Sequence, residues 1–116
     1  MESELLFVYG TLKRGRGNHH LLRDAEFVQL DSVRGELWTG GVPFLVSPAN
    51  GGSLSKVYGE IYRVTPEQLA RCDGLEGHPR AYLRQLLLAL QMSAFVHVYT
   101  WPHGTAGREH IPSGWF

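Results

Sequence analysis

Two short segments of the sequence carry residues that could do chemistry. The first, Tyr9-Gly10-Thr11-Leu12, directly follows an apolar run. A strand end followed by glycine can turn successive backbone N–H groups into one concavity, and such concavities bind anions and carboxylates. The same tetrapeptide also fits an ordinary strand-to-loop turn, so these residues alone leave both interpretations open.

The second segment contains Glu76, within Asp73-Gly74-Leu75-Glu76-Gly77-His78-Pro79. We expect Glu76 just beyond the C-terminal end of a short helix, where the negative end of the helix dipole raises the pKa of a carboxylate. Partial burial would raise that pKa further. A carboxylate tuned in this way can take and give a proton near neutral pH. A solvated loop carboxylate is the structural alternative.

Other catalytic centres find little support in the sequence. Cys72 is the single cysteine, which excludes an intrachain disulfide and a four-cysteine or Cys2His2 zinc site. The chain has no Gly-x-Ser-x-Gly element, no Walker loop and no complete dinucleotide fingerprint. We expect neither a metal ion nor another cofactor. The histidines lack metal-binding spacing; they are His19, His20, His78, His97, His103 and His110.

The charge balance bears on the class of partner. Eleven Lys and Arg residues match eleven Asp and Glu residues, which gives a formal net charge of zero. Nucleic-acid-binding proteins normally have a basic surface and membrane-surface proteins a polybasic segment, so we expect neither partner. The local cluster Lys13, Arg14 and Arg16 fits either a solvated loop or an anion or RNA contact.

The sequence gives no indication of export or membrane insertion. An apolar run such as Leu86–Leu90 is far shorter than the ~20 residues of a membrane span. The N-terminal Met1-Glu2-Ser3-Glu4 is acidic, whereas the start of a signal peptide is basic. We therefore expect a cytoplasmic protein.

The elements that would position the two segments are short strands and turns. The length of 116 residues fits a single domain, over residues 1–116. Fourteen glycines and six prolines exceed the usual combined share of about 12% and argue against a helical bundle. Apolar and alternating runs predict strands at Leu5–Tyr9, Val33–Trp38, Phe44–Val46, Val57–Tyr62, Ala81–Leu90 and Ala94–Trp101.

Two of these strands repeat one pattern. Val33–Trp38 and Val57–Tyr62 both follow Val-x-Gly-Glu-aliphatic-aromatic. A glycine inside a strand marks a bend, a bulge or the close approach of another backbone, so we expect two bent strands of one curled sheet. Closure of that sheet would remove exposed edges. The expected fold class is α+β, a small, mostly antiparallel β-barrel with short flanking helices.

One helix start carries a complete local signature. Thr65 is expected at the N-cap and Pro66 at the first helical position, and Gln68 completes a capping box. Gly74 stands where a glycine stop belongs, so the predicted helix is Pro66–Asp73. Its inner face is predicted to hold Leu69 and Cys72.

Two further predictions concern the segments at either end. Asn18 can cap a short helical stretch over His19–Arg23. The tail ends in two aromatic residues, Trp115 and Phe116, which indicates that it packs back onto the domain.

Together the two candidate segments resemble the gamma-glutamylcyclotransferase-like family. Matching stretches come in the family's order and extend over nearly the whole chain. They are Val8–Leu12, Arg14-Gly15, Asn18–Leu22, Val57–Tyr62, Asp73–Pro79 followed by Tyr82 and Arg84, and Ile111–Trp115.

The resemblance implies a small β-barrel and an intramolecular reaction. In this family a γ-glutamyl amine folds so that its own α-amine attacks the γ-carbonyl, and 5-oxoproline and a free amine are released. Carried over, the backbone amides of Tyr9–Leu12 would hold the glutamyl group, Glu76 would be the acid/base, and Tyr82 would help to line the pocket. The implied partner is a small γ-glutamyl substrate, with no metal or cofactor.

The resemblance leaves substrate and role open. Members of similar size are gamma-glutamylamine cyclotransferases, which release an amine such as lysine. His78 occupies a position where an aromatic residue, often tyrosine, is common, and this bears on substrate preference. A non-catalytic module that binds a small metabolite in the same cleft is the first alternative. A small RNA-binding barrel that uses the basic cluster is the second. A monomer or weak homo-oligomer fits each interpretation.

Overall fold

The structure, a computed structural model, describes residues 3–116, so Met1 and Glu2 of the acidic N-terminus lie outside the described residues. That part of the chain forms eight strands, one α-helix and two short 3-10 turns, at His19–Leu22 and Pro48–Asn50. In chain order the larger elements are β1 (Glu4–Val8), β2 (Glu26–Arg34), β3 (Glu36–Thr39), β4 (Pro43–Val46), β5 (Lys56–Val64), α1 (Pro66–Glu76), β6 (Leu83–Ala89), β7 (Ala94–Thr100) and β8 (Glu109–Ile111).

The strands form one curled sheet in the order β2-β5-β1-β7-β4-β3-β8, and β6 pairs with β7 along its whole length. Pairing is antiparallel except where β7 meets β1 and β4. The sheet curls until the β6–β7 turn reaches β2, where Leu90 N–H donates to the Ser32 carbonyl at 2.9 Å. The Asp31 carboxylate accepts the backbone N–H groups of Gln91 and Met92, each at 2.8 Å. The fold is thus the predicted α+β class, with the sheet curled into a half-barrel.

The two copies of the repeated pattern lie side by side, because β2 pairs with β5 through Val33 and Val57. The prediction of one strand over Val33–Trp38 is wrong, since the chain breaks at Gly35 into β2 and β3. Gly35 has a φ of +150°, and a Cβ there would lie 2.9 Å from the Val46 carbonyl oxygen. Only glycine tolerates that combination, so the sheet turns its corner at this residue.

Each copy also places its glutamate under the aromatic residue two positions later. Glu60 accepts a hydrogen bond from the Tyr62 hydroxyl at 3.0 Å and from the Arg14 backbone N–H at 2.9 Å. Glu36 likewise accepts from Trp38 Nε1 at 3.1 Å. The second copy therefore ties the loop after β1 to the sheet.

Helix α1 begins as predicted and ends later. Thr65 accepts the Gln68 backbone N–H, and the Gln68 side chain accepts the Thr65 backbone N–H, so the capping box is confirmed. The predicted stop at Gly74 is wrong: the helix runs through Glu76, and Gly77 takes the left-handed conformation at φ +66°. An interior glycine costs about 1 kcal/mol relative to alanine, which the helix tolerates at Gly74.

The core has two parts, one inside the curled sheet and one between the sheet and α1. The second part contains both predicted inner-face residues of the helix, Leu69 and Cys72, and Cys72 is fully buried. The helix is therefore fixed against β1 and β7, and its last turn has a defined position relative to the loop that follows β1.

The predicted packing of the tail is confirmed. The Trp115 ring stacks on Tyr58 with centroids 4.8 Å apart, and the Tyr58 backbone N–H donates to the Gly114 carbonyl at 2.9 Å. The helical stretch after Asn18 is a 3-10 turn, and the Asn18 side chain does not cap it. That side chain is used elsewhere, as the site shows.

Candidate active site

A cavity of about 260 Å³ opens between the loop that follows β1 and the last turn of α1. All six residues singled out in the sequence line it: Tyr9, Gly10, Thr11, Leu12, Glu76 and Tyr82. Two segments separated by more than sixty positions in the chain therefore meet at one site.

The loop closes as a tight turn, because the Lys13 backbone N–H donates to the Gly10 carbonyl at 3.0 Å. Thr11 and Leu12 are its two central residues, and no described residue accepts a hydrogen bond from their backbone N–H groups. Gly10 is packed against Pro43, and a Cβ at Gly10 would lie 2.6 Å from the Pro43 Cγ atom. The turn thus offers two free donors beside the cavity and leaves no room for a side chain at Gly10.

Asn18 holds the turn from behind. Its side-chain Nδ2 donates to the Thr11 hydroxyl at 2.9 Å, and its backbone N–H donates to the Thr11 carbonyl at 3.0 Å. Asn18 itself lines the cavity. The sequence suggested a capping role for this residue, and the contact with Thr11 replaces that role.

Tyr9 lines the cavity, but its hydroxyl is committed to the scaffold. The hydroxyl donates to the Tyr99 carbonyl at 2.7 Å and accepts the Leu45 backbone N–H at 3.0 Å. Burial raises the pKa of Tyr9 well above its usual 10.0, and the nearby Tyr82 and Glu76 raise it further. This side chain therefore stays neutral and ties β1 to β7 and β4.

Tyr82 reaches the site from the segment between α1 and β6. Its hydroxyl donates to the Pro43 carbonyl at 2.9 Å, and its ring packs edge-on against Trp101 at a centroid distance of 5.3 Å. Burial raises the pKa of Tyr82 to about 12, with a further contribution from Glu76. Since Pro43 also packs on Gly10, Tyr82 supports the substrate loop as well as lining the cavity.

Glu76 lies in the last turn of α1 and not beyond the helix as predicted. Burial raises the pKa of its carboxyl group to about 7, and no hydrogen bond from a described residue opposes that shift. Its position near the C-terminal end of a helix acts in the same direction. The carboxyl group is therefore able to exist in both protonation states near neutral pH.

Asp73 lies one turn earlier on the same helix and is held by two residues. Arg84 grips its carboxylate through Nε–Oδ1 at 2.8 Å and Nη2–Oδ2 at 3.2 Å, and the Tyr99 hydroxyl donates to Oδ1 at 2.7 Å. Burial raises the pKa of Asp73, but the hydrogen bonds and charge of Arg84 and the Tyr99 hydroxyl outweigh it, so the net pKa is lowered. Sequence reasoning missed Tyr99, because only the fold brings β7 against α1.

His78 is turned to a structural contact. Its Nδ1 atom accepts the Arg84 backbone N–H at 2.9 Å, and its side chain is absent from the residues that line the cavity. The expectation that His78 bears on substrate preference thus finds no direct contact in the described part of the chain. Across residues 3–116, no group of three or more His, Cys, Asp and Glu side chains is placed to hold a metal ion.

The basic cluster contacts other parts of the same chain. Lys13 Nζ and Arg16 Nη2 donate to the Phe116 main-chain oxygen at 2.6 and 2.9 Å. Arg14 lies over the Phe27 ring at 5.0 Å. These contacts attach the tail to the substrate loop, and they weaken the RNA-contact interpretation.

Comparison with known proteins places this fold and site in one family. Residues 6–116 match the model of the family described as gamma-glutamyl cyclotransferase, AIG2-like, and the chain belongs to that family. The gamma-glutamylcyclotransferase family protein YtfP of Escherichia coli K12 is 35% identical over 111 residues, which cover 94% of this chain and 92% of YtfP. A putative gamma-glutamylcyclotransferase of Methanocaldococcus jannaschii is 33% identical over 85 residues, covering 71% of this chain and 68% of that protein.

Solved structures agree with this assignment. An uncharacterized protein of Pyrococcus horikoshii superposes with a TM-score of 0.82 at 25% identity, covering 97% of this chain and 89% of the other. An AIG2-like protein of Mus musculus superposes with a TM-score of 0.76 at 28% identity, covering 91% and 82%. The family expected from the sequence is therefore confirmed. Within residues 3–116, no helix has the length and apolar character needed to cross a bilayer.

Proposed function

We propose that the protein converts a γ-glutamyl amine into 5-oxoproline and a free amine, with Glu76 as the general acid and base. The observation that carries this proposal is the cavity shared by Glu76, whose pKa is raised to about 7, and the free N–H groups of Thr11 and Leu12. Family membership supports a gamma-glutamylcyclotransferase-like activity.

The turn after β1 suits the glutamyl end of the substrate. Free backbone N–H groups in a tight turn bind carboxylates and developing oxyanions. Thr11 and Leu12 supply two such donors, and Asn18 and Pro43 hold the turn in place. In the proposed complex these amides bind the α-carboxylate or the γ-carbonyl oxygen and fold the substrate onto itself.

Glu76 suits the proton transfers that the reaction needs. A bond forms between the α-nitrogen and the γ-carbonyl carbon, and the bond from that carbon to the leaving nitrogen breaks. The attacking amine loses a proton and the leaving nitrogen gains one, so a single carboxylate can take the first and give the second. A group with a pKa near the working pH performs both transfers efficiently, and such catalysis contributes roughly 10²- to 10⁴-fold.

The substrate supplies its own nucleophile, so neither a serine nor a cysteine is needed. Cys72 is fully buried, and burial raises its pKa to about 11, so it stays a neutral thiol. Holding the two reacting ends together can lower the barrier by several kcal/mol, up to roughly 7–11 in the best intramolecular cases. The proposed partner is accordingly a small γ-glutamyl compound, in the cytoplasm, with no cofactor.

The test is 5-oxoproline release from a panel of γ-glutamyl amines by the wild type and by Glu76→Gln. Turnover by the wild type and a loss of at least about 100-fold in kcat for the variant are expected. Glu67→Gln is the matched control, because Glu67 lies on the same helix with its side chain 87% exposed. Saturable binding of the panel without any 5-oxoproline would replace the enzyme by a metabolite-binding module.

A further inference from the structure

Two large aliphatic side chains stay exposed where they line the cavity. Val42 is 55% exposed and Leu75 is 44% exposed, and both belong to the lining. A lining residue that keeps so much of its surface in solvent must lie at the opening. Val42 comes from the turn between β3 and β4, and Leu75 directly precedes Glu76 in α1. We call these two side chains the apolar mouth.

The cavity carries very little charge. Of the described residues that line it, Glu76 alone has an ionisable acidic or basic side chain. Arg108 is close enough to lower the pKa of Tyr82, but its guanidinium donates to the Gly40 carbonyl and it is not part of the lining. A carboxylate on the leaving amine would thus find no cation in the cavity and would face the Glu76 carboxylate.

The substrate must enter the cavity in one direction. Its glutamyl end has to fold onto itself beside Glu76 and the amides of Thr11 and Leu12. The rest of the molecule, which is the leaving amine, then extends towards the opening. The group that meets the apolar mouth is therefore the substituent on the leaving nitrogen.

The geometry points to Val42 and Leu75 as a leaving-group subsite that takes the hydrocarbon part of the amine. This inference rests on the proposed function and adds the residues that decide between substrates. It assigns the protein a preference for γ-glutamyl amides of alkyl or aryl amines over those of α-amino acids, whose carboxylate lies next to the leaving nitrogen.

The expected size of the effect follows from apolar contacts in binding sites. One methylene group in an enclosed pocket changes specificity by roughly 10- to 200-fold. The mouth is half open to solvent, so each truncation is expected near or below the lower end of that range. Contacts made equally in the ground state and the transition state change KM and leave kcat nearly unchanged.

The experiment measures kcat and KM for three substrates, γ-glutamyl-methylamide, γ-glutamyl-n-butylamide and γ-glutamylglycine. It compares the wild type with Val42→Ala, Leu75→Ala and the control Leu86→Ala. Leu86 is 59% exposed on β6 and lies outside the cavity lining, so its truncation removes the same atoms at a place without substrate. The butylamide is expected to be the best wild-type substrate and γ-glutamylglycine the worst.

Each mouth variant is expected to lower kcat/KM for the butylamide by up to about tenfold, mainly through KM, with the methylamide nearly unchanged. Leu86→Ala should behave as the wild type. A butylamide-to-methylamide ratio that is the same in all four proteins, or a wild-type preference for γ-glutamylglycine, overturns the assignment while the proposed function stands. Failure of the wild type to release 5-oxoproline from any of the three contradicts the proposed function and the subsite with it.

Discussion

Asp73 and Glu76 are two carboxylates on one helix, three positions apart, and they have opposite surroundings. Asp73 receives the Arg84 guanidinium and the Tyr99 hydroxyl, and its net pKa is lowered. Glu76 receives no hydrogen bond from a described residue, and burial raises its pKa to about 7. Residue type and helix position differ little between them, so it is the neighbouring strands that assign their roles.

The difference separates a permanent charge from a transferable proton. A carboxylate held by a cation and a hydroxyl stays ionised and fixes geometry. A carboxyl group buried without donors changes protonation state near neutral pH. In this helix the ionised residue, Asp73, pins the last turn to β6 and β7, and that turn carries Glu76 into the cavity.

The largest effect on stability is expected where the comparison is broken at Asp73. Arg84→Leu removes the cation from a pair whose side chains are only 22% and 23% exposed. Removing one partner of a fully buried pair costs about 3–5 kcal/mol, so about 3 kcal/mol is expected for this partly shielded pair. Chemical denaturation at pH 7 measures it.

Arg71→Leu is the matched control for that variant. Arg71 lies on the same helix, its side chain is 60% exposed, and it pairs with Glu67 at 3.9 Å. An exposed pair of this kind contributes less than about 1 kcal/mol. Equal losses in the two variants would mean that Asp73 is not specially held.

A smaller effect of opposite sign is expected where the comparison is sharpened at Glu76. The pKa of Glu76 rises from 4.5 in the unfolded chain to about 7 in the folded protein, so the wild type loses stability as the pH rises between these values. Glu76→Gln removes the buried charge and should gain about 2 kcal/mol relative to wild type at pH 8, after allowance for partial exposure. At pH 4 the two proteins should differ little.

Denaturation curves at pH 4 and pH 8 test this prediction, because the titration of other groups cancels in the difference between variant and wild type. A Glu76→Gln variant that is no more stable than wild type at pH 8 would show that Glu76 is not buried as a charged group. Asp73 has the reverse dependence. Its folded pKa lies below 3.8, so its stabilising contribution is complete above that pH and is lost as the pH falls further.

The smallest effect is expected from Tyr99→Phe, which removes one donor from Asp73 and keeps the ring. A hydrogen bond to a charged group contributes about 1.5–3 kcal/mol. Since Arg84 still holds the carboxylate, a loss of about 1 kcal/mol is expected in the same denaturation assay. Tyr58→Phe is the control, because the ring of Tyr58 stacks on Trp115 and its hydroxyl makes no hydrogen bond to a described residue. Equal stability of Tyr99→Phe and wild type would remove Tyr99 from the account.

Sequence reasoning succeeded where local signals decide the structure. The capping box at Thr65 and the turn after β1 depend on residues within a few positions of one another, and both are present. The helix end was predicted wrongly, because Gly74 and Gly77 are both acceptable stops locally. The fold selects Gly77, which takes the left-handed conformation and packs beside Ala81.

The site divides in the same way. The residues alone left Glu76 as either a solvated or a functional carboxylate, and the family resemblance singled it out. Its burial depends on Leu75, Tyr82 and the distant turn, which only the fold brings together. The contact of Tyr99 with Asp73 joins residues 26 positions apart, and no local pattern indicates it.

The most direct measurement of the central claim is a titration of side-chain carboxyl signals by NMR, with Glu76 and Asp73 assigned through Glu76→Gln and Asp73→Asn. The account predicts a midpoint of about 7 for Glu76 and a midpoint below 3.8 for Asp73 in the same sample. A midpoint for Glu76 near the ordinary value of 4.5 would contradict the account, since the carboxylate would then be a solvated charge with no proton to give near neutral pH.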